Sequence, residues 1–365
     1  MPSVLFSPLP VGPVTLSNRI VVAPMCQYSA DDGCMNDWHL MNLGSFAISG
    51  AGLVVVEATA VTREGRISHG CTGLYSDNSE AAMRRVLQFC RRHSKAAFGV
   101  QLAHAGRKGS ALRPWEGSRG LPPEQSPWRS EAPSPVSHGE GWPVPHELTT
   151  DELRRLVDAF AAAARRALTV GFDLLELHAA HGYLLHEFLS PLANQRKDAY
   201  GTDRMKFPLE VARAVRESWP RDRALGARIT GSDWAPGGIE PADAVALARA
   251  LKAAGYDFVC VSSGGLVPPK AMRTVPGYNV PFAEQVGKEA GIVTRVGGMI
   301  VDPLHAEQIV ASGQSDHIAL ARAFLDNPRW AWHAAEKLGA RLDYPPPYSR
   351  SAPAVWPGTK IARPE

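Results

Sequence analysis

The sequence predicts an α/β protein built as a single closed (β/α)8 barrel, and three observations carry that prediction. Eight short apolar runs bounded by turn residues recur along the chain, several of them are apolar on both faces, and stretches of helical periodicity alternate with them in a strand-then-helix order. Strands apolar on both faces suit a parallel sheet covered by helices. Eight βα units favour closure into a barrel over an open doubly wound sheet, and no G-x-G-x-x-G follows any of the runs, so the usual dinucleotide fingerprint is missing.

The strand candidates are, in order, Ile20–Pro24, Leu53–Glu57, Phe98–Leu102, Leu174–His178, Leu225–Ile229, Phe258–Ser262, Ile292–Val296 and His317–Leu320. Helical periodicity covers 77–93, 151–169, 205–218, 241–254, 279–290 and 303–312. Asp302-Pro303 and Asn327-Pro328 each set a capping side chain directly before a proline, a combination that starts helices. A Pro-, Gly-, Ser- and Trp-rich excursion over 106–149 interrupts the pattern after the third strand, as functional lids do. The barrel is expected to occupy 1–341, and from Leu342, through Pro345-Pro346-Pro347, an extended C-terminal arm is expected over 342–365.

Composition narrows the function classes. Hydrophobic residues make up 45% and charged residues 21%, the balance of a globular chain with a sizeable core. A net charge of +3 is too even to imply a nucleic-acid partner, and the Arg-Arg pairs at 84/85, 91/92, 154/155 and 165/166 fall on helical stretches where solvated faces are the default. No run reaches the 18 or so apolar residues of a membrane span, and the N-terminus carries no export pattern, so a soluble cytoplasmic protein is expected. Five cysteines (26, 34, 71, 90 and 260) show no metal or cluster spacing and read as reduced thiols.

In a barrel of this kind the active site lies just past the C-terminal ends of the strands. There the chain places Pro24-Met25-Cys26-Gln27-Tyr28, Ala58-Thr59-Ala60, Gln101 and His104, then His178, His181 and Tyr183, then Arg228, Ser262 to Gly265, Gly297-Gly298, and Ala321-Arg322. Glycines after strands six and seven with Arg322 after strand eight suit a phosphate held by backbone N–H groups and a guanidinium; turn glycines and a surface arginine are the plainer alternative. His178-x-x-His181 lacks a third ligand in the usual place, so no metal is expected. Two imidazoles on one rim can instead donate to a single substrate oxygen while a nearby tyrosine delivers a proton, which fits reduction or enolate chemistry.

These residues resemble the old yellow enzyme family, in its thermophilic-like branch with a cysteine after the first strand. The segments that carry the resemblance are Ala23-Pro24-Met25-Cys26-Gln27-Tyr28, Val55-Val56-Glu57-Ala58-Thr59-Ala60, Gln101-Leu102-Ala103-His104-Ala105-Gly106-Arg107-Lys108, the stretch from Glu176 to Gly201, Pro276-Gly277-Tyr278, and Arg322. The resemblance implies an FMN-dependent oxidoreductase, an ene-reductase that takes hydride from NADPH and reduces the C=C bond of activated alkenes such as enones, maleimides or nitroalkenes. It implies that Pro24, Met25, Cys26 and Ala60 pack about the isoalloxazine ring, that Gln101 bonds its pyrimidine edge, and that Arg228 sits by N1 and the C2 carbonyl. Gly297, Gly298 and Arg322 would hold the phosphate. Tyr28, His178 and His181 would bind substrate, and Tyr183 would protonate it; Cys26 would tune the flavin, or else is a small buried hydrophobe. Arg350 is expected to reach a neighbouring subunit's site in a homodimer or homotetramer, with a loose tail as the other reading.

Two departures from the family pattern bear on this. Ala321 stands where relatives commonly carry glycine, which puts phosphate affinity in question, and the 202–207 loop is shorter, which implies a local packing change. Another FMN barrel, such as a tRNA dihydrouridine synthase, and a non-catalytic flavin-binding barrel are the competing readings. The even charge and the lack of an appended basic domain speak against the first.

Overall fold

Eight parallel strands close on themselves, each followed by a helix. In a computed structural model describing residues 2–268 and 274–362, the strands are β1 (Ile20–Val22), β2 (Leu53–Ala60), β3 (Ala97–Ala103), β4 (Leu174–Ala179), β5 (Ala224–Thr230), β6 (Phe258–Ser262), β7 (Val293–Val296) and β8 (His317–Leu320). Each pairs with the next in sequence, and β8 closes on β1 through Ile318 opposite Ile20. The covering helices are α1 (Asp37–Ala47), α2 (Asp77–His93), α3 (Thr150–Val170), α4 (Lys206–Ser218), α5 (Pro241–Ala253), α6 (Val280–Ala290), α7 (Pro303–Ala311) and α8 (Trp330–Lys337).

The helices begin where local chemistry favours them. Thr149 caps α3 by accepting from Glu152 N–H, and Glu152 reaches back to Thr149, a reciprocal arrangement that satisfies two otherwise orphaned donors. Asp302 caps α7 as its Asp-Pro pair predicts. The Asn327-Pro328 signal lies three residues before α8 starts at Trp330; Asn327 Oδ1 accepts from Arg329 N–H and shapes the turn ahead of the helix. Sequence periodicity missed α1, whose Gly44 interrupts the apolar stripe. A Cβ there would lie 3.1 Å from Phe89 of α2, so the glycine allows the two helices to approach closely.

Two layers of apolar packing flank the strands. Outward residues such as Val54, Phe98, Leu175 and Val259 pack under the helices in one cluster. A second cluster fills the N-terminal end of the barrel, where Leu53, Leu174, Ala224 and Phe258 meet Leu9, Val11 and Leu16. Those last three come from a hairpin, Leu9–Val11 paired with Val14–Leu16, that plugs this end. With one mouth stoppered by apolar side chains, the opposite mouth is left for chemistry.

The 106–149 excursion folds back over that open rim. Trp128 donates Nε1–H to Glu64 O at 2.8 Å and lies under the Arg66 guanidinium at 5.3 Å, while Trp115 meets Tyr28 edge-on at 5.9 Å. The short 202–207 loop borders a pocket of about 240 Å³ with His186, Thr230 and Leu247, on the flank of the barrel. The arm after Leu342 leaves from the plugged end: Tyr344 and Tyr348 pack on Trp332 of α8 at 4.1 and 5.6 Å, and Leu342 closes over Gly50 just ahead of β2. Among the described residues no helix is long and apolar enough to cross a membrane.

Candidate active site

Alternation along the strands puts one ring of inward side chains at the open rim. The pairing of Gln101 with Glu176, His178 with Arg228, and Cys260 with Arg228 brings the ends of β3 to β6 side by side. Gln101 and His178 are buried, and Arg228 is half-buried with its Nε enclosed and without a hydrogen-bond partner. An enclosed guanidinium nitrogen with an unused donor is costly unless something outside the chain accepts from it.

The loop after β1 carries Pro24, Met25, Cys26 and Tyr28, all half-buried. Its shape is set from below by Glu57, which sits where the β2–β3 pairing slips between Val56 and Ala58. Freed from the ladder, Glu57 accepts from Gln27 N–H at 3.0 Å and lies 3.4 Å from His39 Nε2 of α1. Tyr28 holds φ at 52°, and Gly70 leaves room for its carbonyl: a Cβ there would lie 2.2 Å from Tyr28 O. The Cys26 thiol is pushed well above its ordinary pKa by burial and by the Glu57 carboxylate, so it stays a neutral thiol and is not poised as a nucleophile. Ala60 is buried at the end of β2.

His178, His181 and Tyr183 form a tight aromatic group past β4. The His178 ring centroid lies 5.2 Å from that of His181 and 5.0 Å from that of Tyr183, both nearly perpendicular. Burial, reinforced by the Arg228 charge, holds both imidazoles well below the usual histidine pKa, so both are neutral near pH 7. Ala180 N–H donates to His178 Nδ1 at 3.3 Å, which leaves the proton on Nε2. His181 engages the Ser262 hydroxyl through Nε2 at 2.7 Å and holds φ at 60°. Burial also raises the Tyr183 phenol well above its ordinary pKa.

One side chain in this group was not marked by the sequence pattern. Lys108, from the first turn of the excursion, lies 4.7 Å over the Tyr183 ring and donates to His181 O at 2.9 Å and Gly265 O at 3.1 Å. Burial brings its pKa down to about 8. Its signal was confined to its place in the Gly106-Arg107-Lys108 run, because the carbonyls it joins lie far along the chain. Ser262 was visible as a rim residue, but its bond to His181 spans 81 positions and has no local signature.

The far side of the rim is built from backbone. Gly298 takes φ at 135°, and Asn279 Nδ2 pins Gly297 O at 2.8 Å. A Cβ on Gly297 would come within 2.8 Å of Ala319 O on the adjoining strand. Ala321 holds φ at −105° and ψ at −89°, outside the left-handed region that favours glycine, so its place in a glycine position carries no left-handed strain. Arg322 follows it, exposed. Arg350 is not brought to this rim: it lies exposed on the turn Pro346–Ser351, on the arm anchored at the plugged end. No group of three or more potential metal ligands occurs among the described residues.

Comparison with known proteins agrees with the barrel fold. A model of the NADH:flavin oxidoreductase / NADH oxidase family matches residues 4–340. The chain is 42% identical to an NADPH dehydrogenase of Geobacillus thermodenitrificans over 96% of its own length and 99% of the relative's, and 41% identical to an NADPH dehydrogenase of Listeria innocua over the same shares. Among solved structures, morphinone reductase superposes with a TM-score of 0.77 at 27% identity, over 95% of this chain and 92% of that one. An old yellow enzyme homologue from Zymomonas mobilis superposes at 0.76 and 26%, over 94% of each.

Proposed function

Because the chain belongs to the NADH:flavin oxidoreductase / NADH oxidase family, we propose that it is an ene-reductase, taking hydride from NADPH and reducing the C=C bond of alkenes conjugated to a carbonyl or nitro group. It is an FMN-dependent oxidoreductase of the old yellow enzyme type; the acceptor class is the finer reading. The observation that carries the acceptor class is the packing of His178, His181 and Tyr183 into one group at the rim.

The rim fits FMN on its own terms. Arg228 offers an enclosed, unused Nε beside His178, and a fixed cation there would favour an anionic reduced ring. Gln101 would meet the pyrimidine edge, Pro24, Met25, Cys26 and Ala60 would pack about the ring, and Gly297, Gly298 and Arg322 would hold the phosphate. The chemistry a flavin supplies when bound is reversible hydride transfer between the nicotinamide and the acceptor's β-carbon.

The rest is the work of side chains. His178 donates Nε2–H to the acceptor's oxygen, where negative charge grows as hydride arrives, so the bond strengthens toward the transition state. His181, steadied by Ser262 and by Lys108 on its carbonyl, forms the other wall of the oxygen's seat, and Tyr28 bounds it from the β1 side. Tyr183 keeps its proton at any working pH and releases it only to a strongly basic centre, which the acceptor's α-carbon becomes after hydride addition. One hydride and one proton complete the reduction, and solvent restores the tyrosine. On this reading Arg350 completes a neighbouring subunit's site, since its own arm is moored at the other end of the barrel. A stable monomer of full activity would remove that role.

The test is spectroscopic. The purified protein should be yellow, should bleach on anaerobic NADPH, and should regain its absorption on adding cyclohexenone. Bleaching without recovery would reject the acceptor class. Bound flavin that NADPH does not bleach would make the barrel a carrier.

A further inference from the structure

Beneath the rim the barrel holds two charges where such barrels usually hold branched apolar side chains. Glu176 on β4 and Arg295 on β7 are both fully buried, at 0% exposure, and form an ion pair across the interior. The other carboxylate oxygen of Glu176 accepts from Gln101 Nε2 at 2.7 Å. Arg295 lies with its guanidinium 4.9 Å from the Phe258 ring, and its neighbour in register on β8 is His317. Burial together with the Arg295 charge keeps that histidine neutral.

A buried ion pair is a poor device for stability alone, because desolvating two charges offsets most of their attraction and an apolar replacement is often as good. What the pair does accomplish here is directional. A carboxylate only accepts, so it admits just the NH₂ end of the Gln101 amide and forbids the flipped orientation. Gln101 Oε1, with the remaining N–H, is then left for whatever lies on the rim side.

We propose that Glu176 and Arg295 are positioning residues: Glu176 locks the orientation of the Gln101 amide from inside the barrel, and Arg295 balances the Glu176 charge under the flavin. The inference rests on the reading of the rim as the flavin seat. The flavin pyrimidine edge presents an N3–H donor flanked by carbonyl acceptors. A Gln101 amide held with Oε1 forward matches that donor, and a freely flipping one does not. The charge balance matters as well: a lone carboxylate below the ring would oppose reduction to an anion, and a lone guanidinium would favour it.

Stoichiometric FMN in the wild-type protein tests the seat itself, independently of the brace beneath it. Apoprotein titrated with FMN should then show Glu176→Gln binding roughly tenfold more weakly, the scale of one charge-assisted hydrogen bond, with a midpoint potential more positive than wild type. In a Gln101→Met background the same Glu176→Gln change should leave FMN affinity unmoved, because the residue through which it acts is gone. The double variant Glu176→Met/Arg295→Met, neutral as a pair, should restore the wild-type potential and yet keep the weakened affinity. Equal weakening with and without Gln101, or no weakening at all, would overturn the proposal. If Glu176→Gln does not fold, the double methionine variant, made with and without Gln101→Met, decides the matter by the same comparison.

Discussion

The two halves of the rim are built on different principles. From β1 to β4 the chain supplies titratable side chains, Cys26, Tyr28, His178, His181 and Tyr183, whose ionisation is displaced by burial. From β7 to β8 it supplies backbone shaped by glycine, with Arg322 exposed at the edge. On the proposed function, the difference matches the task of each half. Proton transfer and polarisation need groups of defined protonation state, which burial provides. A phosphate needs a concave set of N–H donors that come close, which glycine allows and a bulky side chain would block.

The largest effect expected is in the first half. Tyr183→Phe should slow reduction of cyclohexenone by roughly 10²–10⁴, the usual range for a general acid, while the rate of flavin bleaching by NADPH in a stopped-flow experiment stays close to wild type. Equal loss in both half-reactions would assign Tyr183 to binding, and the contrast between the halves would blur.

Lys108 sharpens the point about buried charge. Its pKa is lowered to about 8, below the free-lysine value of about 10.4, so between those pH values the unfolded chain binds more protons than the folded one. Stability from this group therefore rises as pH climbs from about 8 to about 10.4, and below about 8 the fold carries the full cost of the buried ammonium, up to about 3 kcal/mol. Urea midpoints of wild type relative to Lys108→Met should rise across that window. A flat difference would mean that the ammonium is solvated and that its two carbonyl contacts compensate burial.

In the second half the expected change is in affinity. Arg322→Met should weaken FMN binding about tenfold, as loss of a charge-assisted contact would, and with FMN in excess the turnover should return. Turnover that stays low at saturating FMN would mean that the cation acts on chemistry as well as on anchoring.

Legibility from sequence divides along similar lines. Strands apolar on both faces were visible because a covered parallel sheet demands them; β6 and β8 fall on the expected residues. So does α2, whose amphipathic stripe is unbroken. The hairpin plug escaped because three-residue strands carry too little periodicity, and α1 escaped at Gly44. At the site, residue type and position past a strand exposed His178, His181 and Tyr183. The braces of the rim were hidden, since each joins residues distant in the chain: Glu57 to Gln27 across 30 positions, Arg107 to Leu266 across 159, and Lys108 to Gly265 across 157. Local patterns report what a residue is and which face it lies on; they do not report which distant atom closes its hydrogen bond.

Ser262 crosses the division, and it gives the smallest effect expected. It belongs to β6, between the two halves, and its hydroxyl serves His181 on the first at 2.7 Å. Both groups are neutral near pH 7, so the bond is an ordinary one with a net value of about 1 kcal/mol. Ser262→Ala should therefore lower kcat/KM for the alkene about fivefold, raising KM more than it lowers kcat, because it loosens a wall of the oxygen's seat and removes no donor that develops in the transition state. FMN affinity should be unchanged. A drop confined to kcat would instead mean that the hydroxyl fixes the tautomer of His181 and through it a transition-state bond, and the serine would then count among the tuned side chains of the first half.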